Sequence, residues 1–460
     1  MINSNNRGYK QQKANTMKKL IFILSIFLLS SSAKAGLPAP VLLFVGQGGG
    51  VCTYDTIQDA IDDVTPFSEI RVSNEITYFE NLQINKSLNI KGGYDDCEQA
   101  QLDSRLDASR TVINANGAGN AVAVTDDVVT LNMSGFTLTN GNGVGSGNGG
   151  AVTISSADAV IIFEQMNIST NAGDFGGGIL MNAANIILEL SNTLVDNNTA
   201  LSGGGIYCIN DGRVRLHDNS GILDNQANGV GAALGNGGGI YSSGCQIAVL
   251  KIIAVDAVGL VGVSSNLATN SGGGIFMNDG VFGTTNADDM IINIDNNVAN
   301  SDMDDIGDGG GVFLMNDAVI ALSKMYFANN TVFNGNGGAL FMDNSRYNAN
   351  SIWVSEYDDC ILDGYAECNL FINNRATGGG FNLGGAIYMQ NNSAGSNVNH
   401  SLRARFINNR ADGGAAIALY SGSTLNLQNS YFIGNGNNGD DATNDFNVIR
   451  VNGAGSEIDV

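Results

Sequence analysis

Short apolar runs broken by single polar residues recur along most of this 460-residue chain. Ala318-Val319-Ile320-Ala321-Leu322 and Thr424-Leu425-Asn426-Leu427 are examples. A period of two predicts strands. Two signatures punctuate the runs in alternation. One is a glycine pair, a small residue and an aliphatic: Gly149-Gly150-Ala151-Val152, then the equivalents ending at Ile179, Ile206, Ile240, Ile275, Val312, Leu340 and Ile387. A looser copy runs Gly413-Gly414-Ala415-Ala416-Ile417. The other is a large apolar residue followed three positions later by asparagine. It occurs at Ile168/Asn171, Leu194/Asn197, Ile222/Asn225, Val263/Asn266, Ile294/Asn297, Phe327/Asn330, Phe371/Asn374, Phe406/Asn409 and Phe432/Asn435.

Two interleaved repeats in one order predict a single small unit stacked many times. Successive asparagine signatures start 26, 28, 41, 31, 33, 44, 35 and 26 residues apart. The bare unit is therefore near the shortest spacing and the excess is loop, longest between Ile240 and Ile275 and between Leu340 and Ile387. Three short strands fill such a unit. No helical period lies between repeats, which excludes βαβ folds and helix-backed leucine-rich repeats. The prediction is an all-β chain, a right-handed parallel β-helix with coils about 4.8 Å apart. Glycine pairs suit tight corners, and asparagine suits left-handed turns and amide stacking. The apolar residue of each asparagine signature should point inward.

The first part of the chain differs. Ile57, Ala60, Ile61 and Val64 fall on one face of a helix predicted over 55–64, with Thr53 or Asp55 as its cap. Such a helix would cover the open end of the stack. Glu69-Ile70-Arg71-Val72, Asn81-Leu82-Gln83-Ile84 and Ser87-Leu88-Asn89-Ile90 read as the first strands. Upstream, Met17-Lys18-Lys19, the apolar stretch Leu20 to Leu29 and Ala33-Lys34-Ala35 read as a secretory signal, too short to span a bilayer. The organisation is then 1–35 extension and signal, 36–68 linker and cap, and 69–460 β-helix with repeats over about 149–435. The last residues, Ser456-Glu457-Ile458-Asp459-Val460, read as an unfinished coil, which either a partner would cover or a truncated reading frame would explain.

Composition narrows the function. The 21 basic residues face 44 acidic ones, and six of the 21 precede Gly36. Loss of that leader leaves 15 against 44, a charge of −29. So acidic a surface argues against nucleic acid and anionic lipid, and against polyuronate chains unless calcium bridges them. Six cysteines in an exported chain should pair, with fifteen connectivities open. Cys52–Cys97, Cys208–Cys245 and Cys360–Cys368 are the pairs expected here, the second because it lies on consecutive repeats.

Gly384-Gly385-Ala386-Ile387 with Phe406-Ile407-Asn408-Asn409 resembles the polymorphic outer membrane protein repeat of chlamydial-type surface proteins. The resemblance covers roughly residues 149–435. The stretch from Asp55-Thr56-Ile57-Gln58 to Ile90-Lys91-Gly92-Gly93-Tyr94 resembles the opening of pectin-lyase-like β-helix proteins. The resemblance implies a secreted or surface-exposed bacterial β-helix, often an adhesin. Autotransporter members end in a membrane β-barrel with a terminal aromatic. This sequence carries neither, which favours a released or partner-held protein.

Candidate sites follow from register. Tyr207, Tyr241, Phe276, Phe313, Phe341 and Tyr388 each follow a repeat aliphatic, so inward aliphatics would send these rings outward as a ladder able to stack sugars or dock a protein. The alternatives are a stack that only stabilises the sheet and a register with the rings inside. Asp302, Asp304, Asp305 and Asp308 have the oxygen-rich spacing of part of a calcium loop, against which stand solvated turns. Gly439-Asp440-Asp441 with Asn444 and Asp445 is a second acidic patch. No cofactor other than calcium is expected. A calcium-assisted polysaccharide lyase or glycoside hydrolase is the alternative to a binding protein. Arg403, Arg405 and Lys324 are its candidate bases, beside acids of an adjacent coil. The Asn-Thr-Asp and Gly-His-Gly elements of β-helical glycoside hydrolases are missing, and the histidines are His217 and His400 alone. Gly141-Asn142-Gly143-Val144-Gly145 lacks the following helix and lysine of a nucleotide loop.

Overall fold

The structure is a computed structural model that describes residues 39–459 apart from 48–49, 106–109, 127, 218, 232–233, 250–261, 284–290, 304–306, 322–323, 348–368, 380, 392–400, 403, 428–429 and 439–447. The signal reading, Cys360, Cys368, Asp304, Asp305, Arg403, His400 and the Gly439–Asp445 patch therefore lie outside the described residues.

One coil shows how the sequence makes the fold. Strands Ile187–Ser191, Leu194–Asp196, Thr199–Ser202 and Ile206–Ile209 turn through a full circuit. Each then pairs, parallel and in register, with its equivalent one repeat later: Leu188 with Val214, Val195 with Ile222, Ala200 with Ala227, Ile206 with Ile240. Repetition builds four walls among the described residues, parallel sheets of 11, 12, 7 and 12 strands, with a three-stranded sheet at the far end. The chain is a parallel β-helix, right-handed as parallel strand crossovers are. The expected three strands per unit are four, because the glycine corner divides the last run into two walls.

Alternation along each strand sends every second side chain into the lumen. Ile168, Val195, Ile222, Val263, Ile294, Phe327, Phe371 and Phe406 are fully buried in one column, each contributing roughly 1.5–3 kcal/mol. Phe327, Phe371, Phe406 and Phe432 stack at 4.9–5.1 Å. A single cluster runs from Val45 to Leu427.

Two columns of polar groups fix the corners. Nine asparagines, Asn171, Asn198, Asn225, Asn266, Asn297, Asn330, Asn374, Asn409 and Asn435, form an unbroken interior ladder. The Oδ1 of each later member accepts from both the backbone N–H and the Nδ2 of the member before it, as at Asn198 and Asn225 (both 3.0 Å). The second repeat corrects the sequence reading. Asn198 with Val195 occupies the ladder, and Leu194 and Asn197 sit one position out of it. The left-handed residue is also not the ladder asparagine but its predecessor: Thr170, Asn197, Asp224, Ser265, Asn296, Asn329, Asn373, Asn408 and Gly434 all have φ between 51° and 61°. At the other corner, Gly237 has φ 66°, and a Cβ on Gly238 would overlap the carbonyl of Gly273 in the next coil. At this corner the first glycine thus serves conformation and the second serves close approach.

The helical cap is present as α1 (Ile57–Asp63), which buries Ile57, Ala60 and Ile61. Its cap is Thr56, not Thr53 or Asp55: the Thr56 hydroxyl accepts from Asp59 N at 3.2 Å. The Glu80 carboxylate accepts from Ile57 N and Gln58 N, and Lys86 Nζ donates to the carbonyls of Ile61 and Val64, so both helix ends are satisfied. A further strand, β1 (Leu42–Val45), lies in the segment read as linker and pairs with β2 (Ser68–Ser73). A second helix, α2 (Cys97–Leu102), was not foreseen. Disulfides join Cys52 to Cys97 and Cys208 to Cys245, the latter across adjacent coils.

Candidate functional site

The outer faces carry whatever this solenoid offers a partner. On the fourth wall, position two of each strand holds Leu180, Tyr207, Tyr241, Phe276, Phe313, Phe341, Tyr388 and Ala418, rung over rung. The rings stack with centroids 4.4–5.1 Å apart, and Phe175 and Tyr420 extend the stack at its two ends. The rings do lie outside the lumen, and Phe341 and Tyr388, with Phe313 against them, form a cluster separate from the main core. The expectation that they stand open to solvent needs correction. Phe276, Phe341 and Tyr388 are 8%, 3% and 6% exposed. Each ring's faces are covered by the next, so only edges remain for a ligand, and a sugar has no free aromatic face to lie on. Burial raises the phenol pKa of Tyr207, Tyr241 and Tyr388, the last to about 12.

A different outer surface is concave. Where the second wall turns into the third, the left-handed corner residues Asn329, Asn373 and Asn408 stand in a row. Beside them Thr331 pairs with Arg375, and Arg375 with Arg410. Phe333 and Thr377 form the next rung pair. These eight residues line a groove of about 580 Å³ that crosses three coils. The Asn373 Nδ2 donates to Asn329 Oδ1 at 3.2 Å. Arg410 Nη1 donates to the carbonyls of Gly434 and Asn409, which pins that guanidinium at the groove's end. Arg375 and Asn373 are exposed. Among the described residues no carboxylate lines the groove, on a chain of net charge −23. Asp412, two residues beyond Arg410, is turned to other partners: it accepts from Asn382 N and Nδ2 and from Asn438 Nδ2.

The residues singled out by sequence are dispersed. Lys324 begins the strand Lys324–Ala328, paired with Ile291. Arg405 sits on Ala404–Ile407 with Leu370 and Tyr431 as its register neighbours. Ile291, Leu370 and Tyr431, the register neighbours described for them, are not acids. Asp302 is exposed, whereas Asp308 is turned inward, its Oδ1 accepting from Asn336 N and Nδ2 at 2.7 and 3.1 Å. Burial raises the Asp308 pKa to about 6. No group of three His, Cys, Asp or Glu side chains is gathered for a metal among the described residues. The groove was missed by sequence reading, although a signal exists. Its central row is the residue that follows each ladder asparagine: Asn330-Thr331, Asn374-Arg375 and Asn409-Arg410.

No protein-family model matches the chain, and no curated protein matches it. Among solved structures it is similar to the crystal structure of the pectin methylesterase from Aspergillus niger in penultimately deglycosylated form. That likeness has 12% identity over 93% of this chain and 89% of that one, with a TM-score of 0.21. A likeness at that level bears on no activity, and the fold rests on the strand pairing described above.

Proposed function

We propose that this chain is an exported binding protein, extracellular or held at a cell surface, that contacts glycan or protein partners along the outside of its solenoid. The observation that carries the reading is the groove across the Asn329, Asn373 and Asn408 coils, where equivalent positions of successive repeats converge on one concave, polar surface. A rigid stack presents such positions at a fixed spacing of about 4.8 Å, so many shallow contacts add along a polymer. The two disulfides and the secretory-type leader favour an oxidising compartment. No helix among the described residues is long and apolar enough to cross a membrane. The resemblance of residues 149–435 to polymorphic outer membrane protein repeats supports an adhesin-like role.

The test is a binding screen of the folded chain from Gly36 onward against immobilised glycans and cell surfaces. Saturable binding to at least one is expected. A sustained ultraviolet rise on incubation with polyuronate and calcium would replace this reading with a lyase.

A further inference from the structure

We propose that the groove lined by Asn329, Asn373, Asn408, Thr331, Arg375 and Arg410 is a site for an oxyanion-bearing saccharide, its sulfate or carboxylate group seated between the two guanidiniums. This deepens the binding-protein reading and rests on it.

The argument begins with charge. Arginine is scarce on this chain, and two fall on neighbouring rungs, about 4.8 Å apart by strand spacing. That spacing is of the backbones; like charges carried on neighbouring rungs still repel, and neither arginine forms a salt bridge among the described residues. An anion between them would remove the repulsion and accept from both. Arg410 is held by backbone carbonyls at one nitrogen, which leaves its other donors free, and Arg375 is exposed. With Asp412 committed to Asn382 and Asn438, no lining group among the described residues competes for the guanidiniums. The remaining acidity of the chain is distributed elsewhere, and charges beyond about 8 Å are largely screened at physiological salt.

The other lining groups suit hydroxyls. Each asparagine amide presents both donors and acceptors, and Thr331 and Thr377 add hydroxyls. The row Asn329, Asn373 and Asn408 repeats once per coil, which matches a polymer whose hydroxyls also repeat. Phe333 contributes a partly exposed apolar surface beside Thr377. A lone anion would use only the arginines. A hydroxyl-rich chain carrying anions uses the whole groove.

The experiment measures binding of the folded chain to dextran sulfate, polygalacturonate, uncharged dextran and polyglutamate in 0.15 M salt, for wild type, Arg375→Ala, Asn373→Ala and Arg375→Ala/Arg410→Ala. Arg375→Ala, at an exposed position, leaves the fold intact by thermal melt, so it decides the matter even if the double variant is unstable. Expected are binding to at least one charged glycan, a loss of tenfold or more in Arg375→Ala and a several-fold loss in Asn373→Ala. Dextran should stay unbound. The stronger of the two charged glycans identifies sulfate ester or uronate carboxylate as the anion. Equal binding by Arg375→Ala and wild type, or polyglutamate binding as tight as either glycan, overturns the proposal. If wild type binds an uncharged glycan or a protein surface and Arg375→Ala does so equally, this inference falls while the binding-protein reading stands. Failure of wild type on every surface ends both.

Discussion

The Nδ2 of Asn225 donates to the Oδ1 of Asn266 at 3.0 Å although 41 residues separate them. Asn409 and Asn435, only 26 apart, make the same bond at 2.9 Å. The ladder geometry is thus indifferent to the length of chain between its rungs. The stack continues in register across insertions of unequal length. That is why outward positions on successive repeats can converge on one groove despite unequal repeat lengths.

Asn266 should be intolerant of truncation. Alanine there leaves the backbone N–H of Asn225 without an acceptor, removes one of the two acceptors of Asn225 Nδ2, and takes the amide donor from Ile222 O and from Asn297 Oδ1, which keeps only the Asn266 backbone N–H. Buried unsatisfied groups cost about 1–3 kcal/mol each, so Asn266→Ala should lose roughly 3 kcal/mol or more by urea titration. Asn373→Gly, at an exposed left-handed corner, should stay within about 1 kcal/mol of wild type.

The glycine rows make a second contrast. Gly238→Ala places a methyl against the Gly273 and Leu267 carbonyls of the next coil, whereas Gly379→Ala meets nothing closer than Asn334 Oδ1 at 3.9 Å. Calorimetry should show a melting point several degrees lower for the first and unchanged for the second.

Much of this was legible in the sequence, and the misses have physical causes. The coil and its inward column could be read because Ile222, Phe327 and Phe406 repeat with the same partner asparagine. Asn197 and Asn198 are identical neighbours, so only the structure decides which enters the ladder. Thr56 caps α1 rather than Thr53 or Asp55, a shift set by where Glu80 meets the first free amides. The aromatic ladder was found by alternation, but alternation gives the side of a sheet and not whether neighbouring rings cover one another. The 35-residue step already aligned Arg375 with Arg410, but that the two line one concave surface with Asn329, Asn373 and Asn408 appears only in the folded stack.

Ile275 and Phe406 are fully buried. Ile275→Asp and Phe406→Asp would each place an unpaired carboxylate in the lumen, a cost of several kcal/mol. Both variants should melt well below wild type or lose their sheet signal in circular dichroism.

Asp308 gives a pH signature. Its pKa is raised from 3.8 to about 6 by burial, so the folded state binds its proton more tightly than the unfolded chain. Its favourable contribution is complete below about pH 4 and is lost as the pH rises through 6. The size is at most about 3 kcal/mol. Asp308→Asn should therefore remove a decline in stability between pH 4 and 6 that wild type shows in denaturant titrations.

The central claim is that coils lie like over like, and paired cysteines test it most directly. Thr331 and Arg375 occupy one rung pair, and Arg410 lies one coil further on. Neighbouring rungs are about 4.8 Å apart and alternate rungs about 10 Å, and a disulfide does not form when Cα atoms are more than about 7 Å apart. Under mild oxidation, Thr331→Cys/Arg375→Cys should cross-link nearly fully and Thr331→Cys/Arg410→Cys should not, as read by peptide mass spectrometry. Failure of the first pair, or equal linking of the second, would contradict the stacked register on which the groove depends.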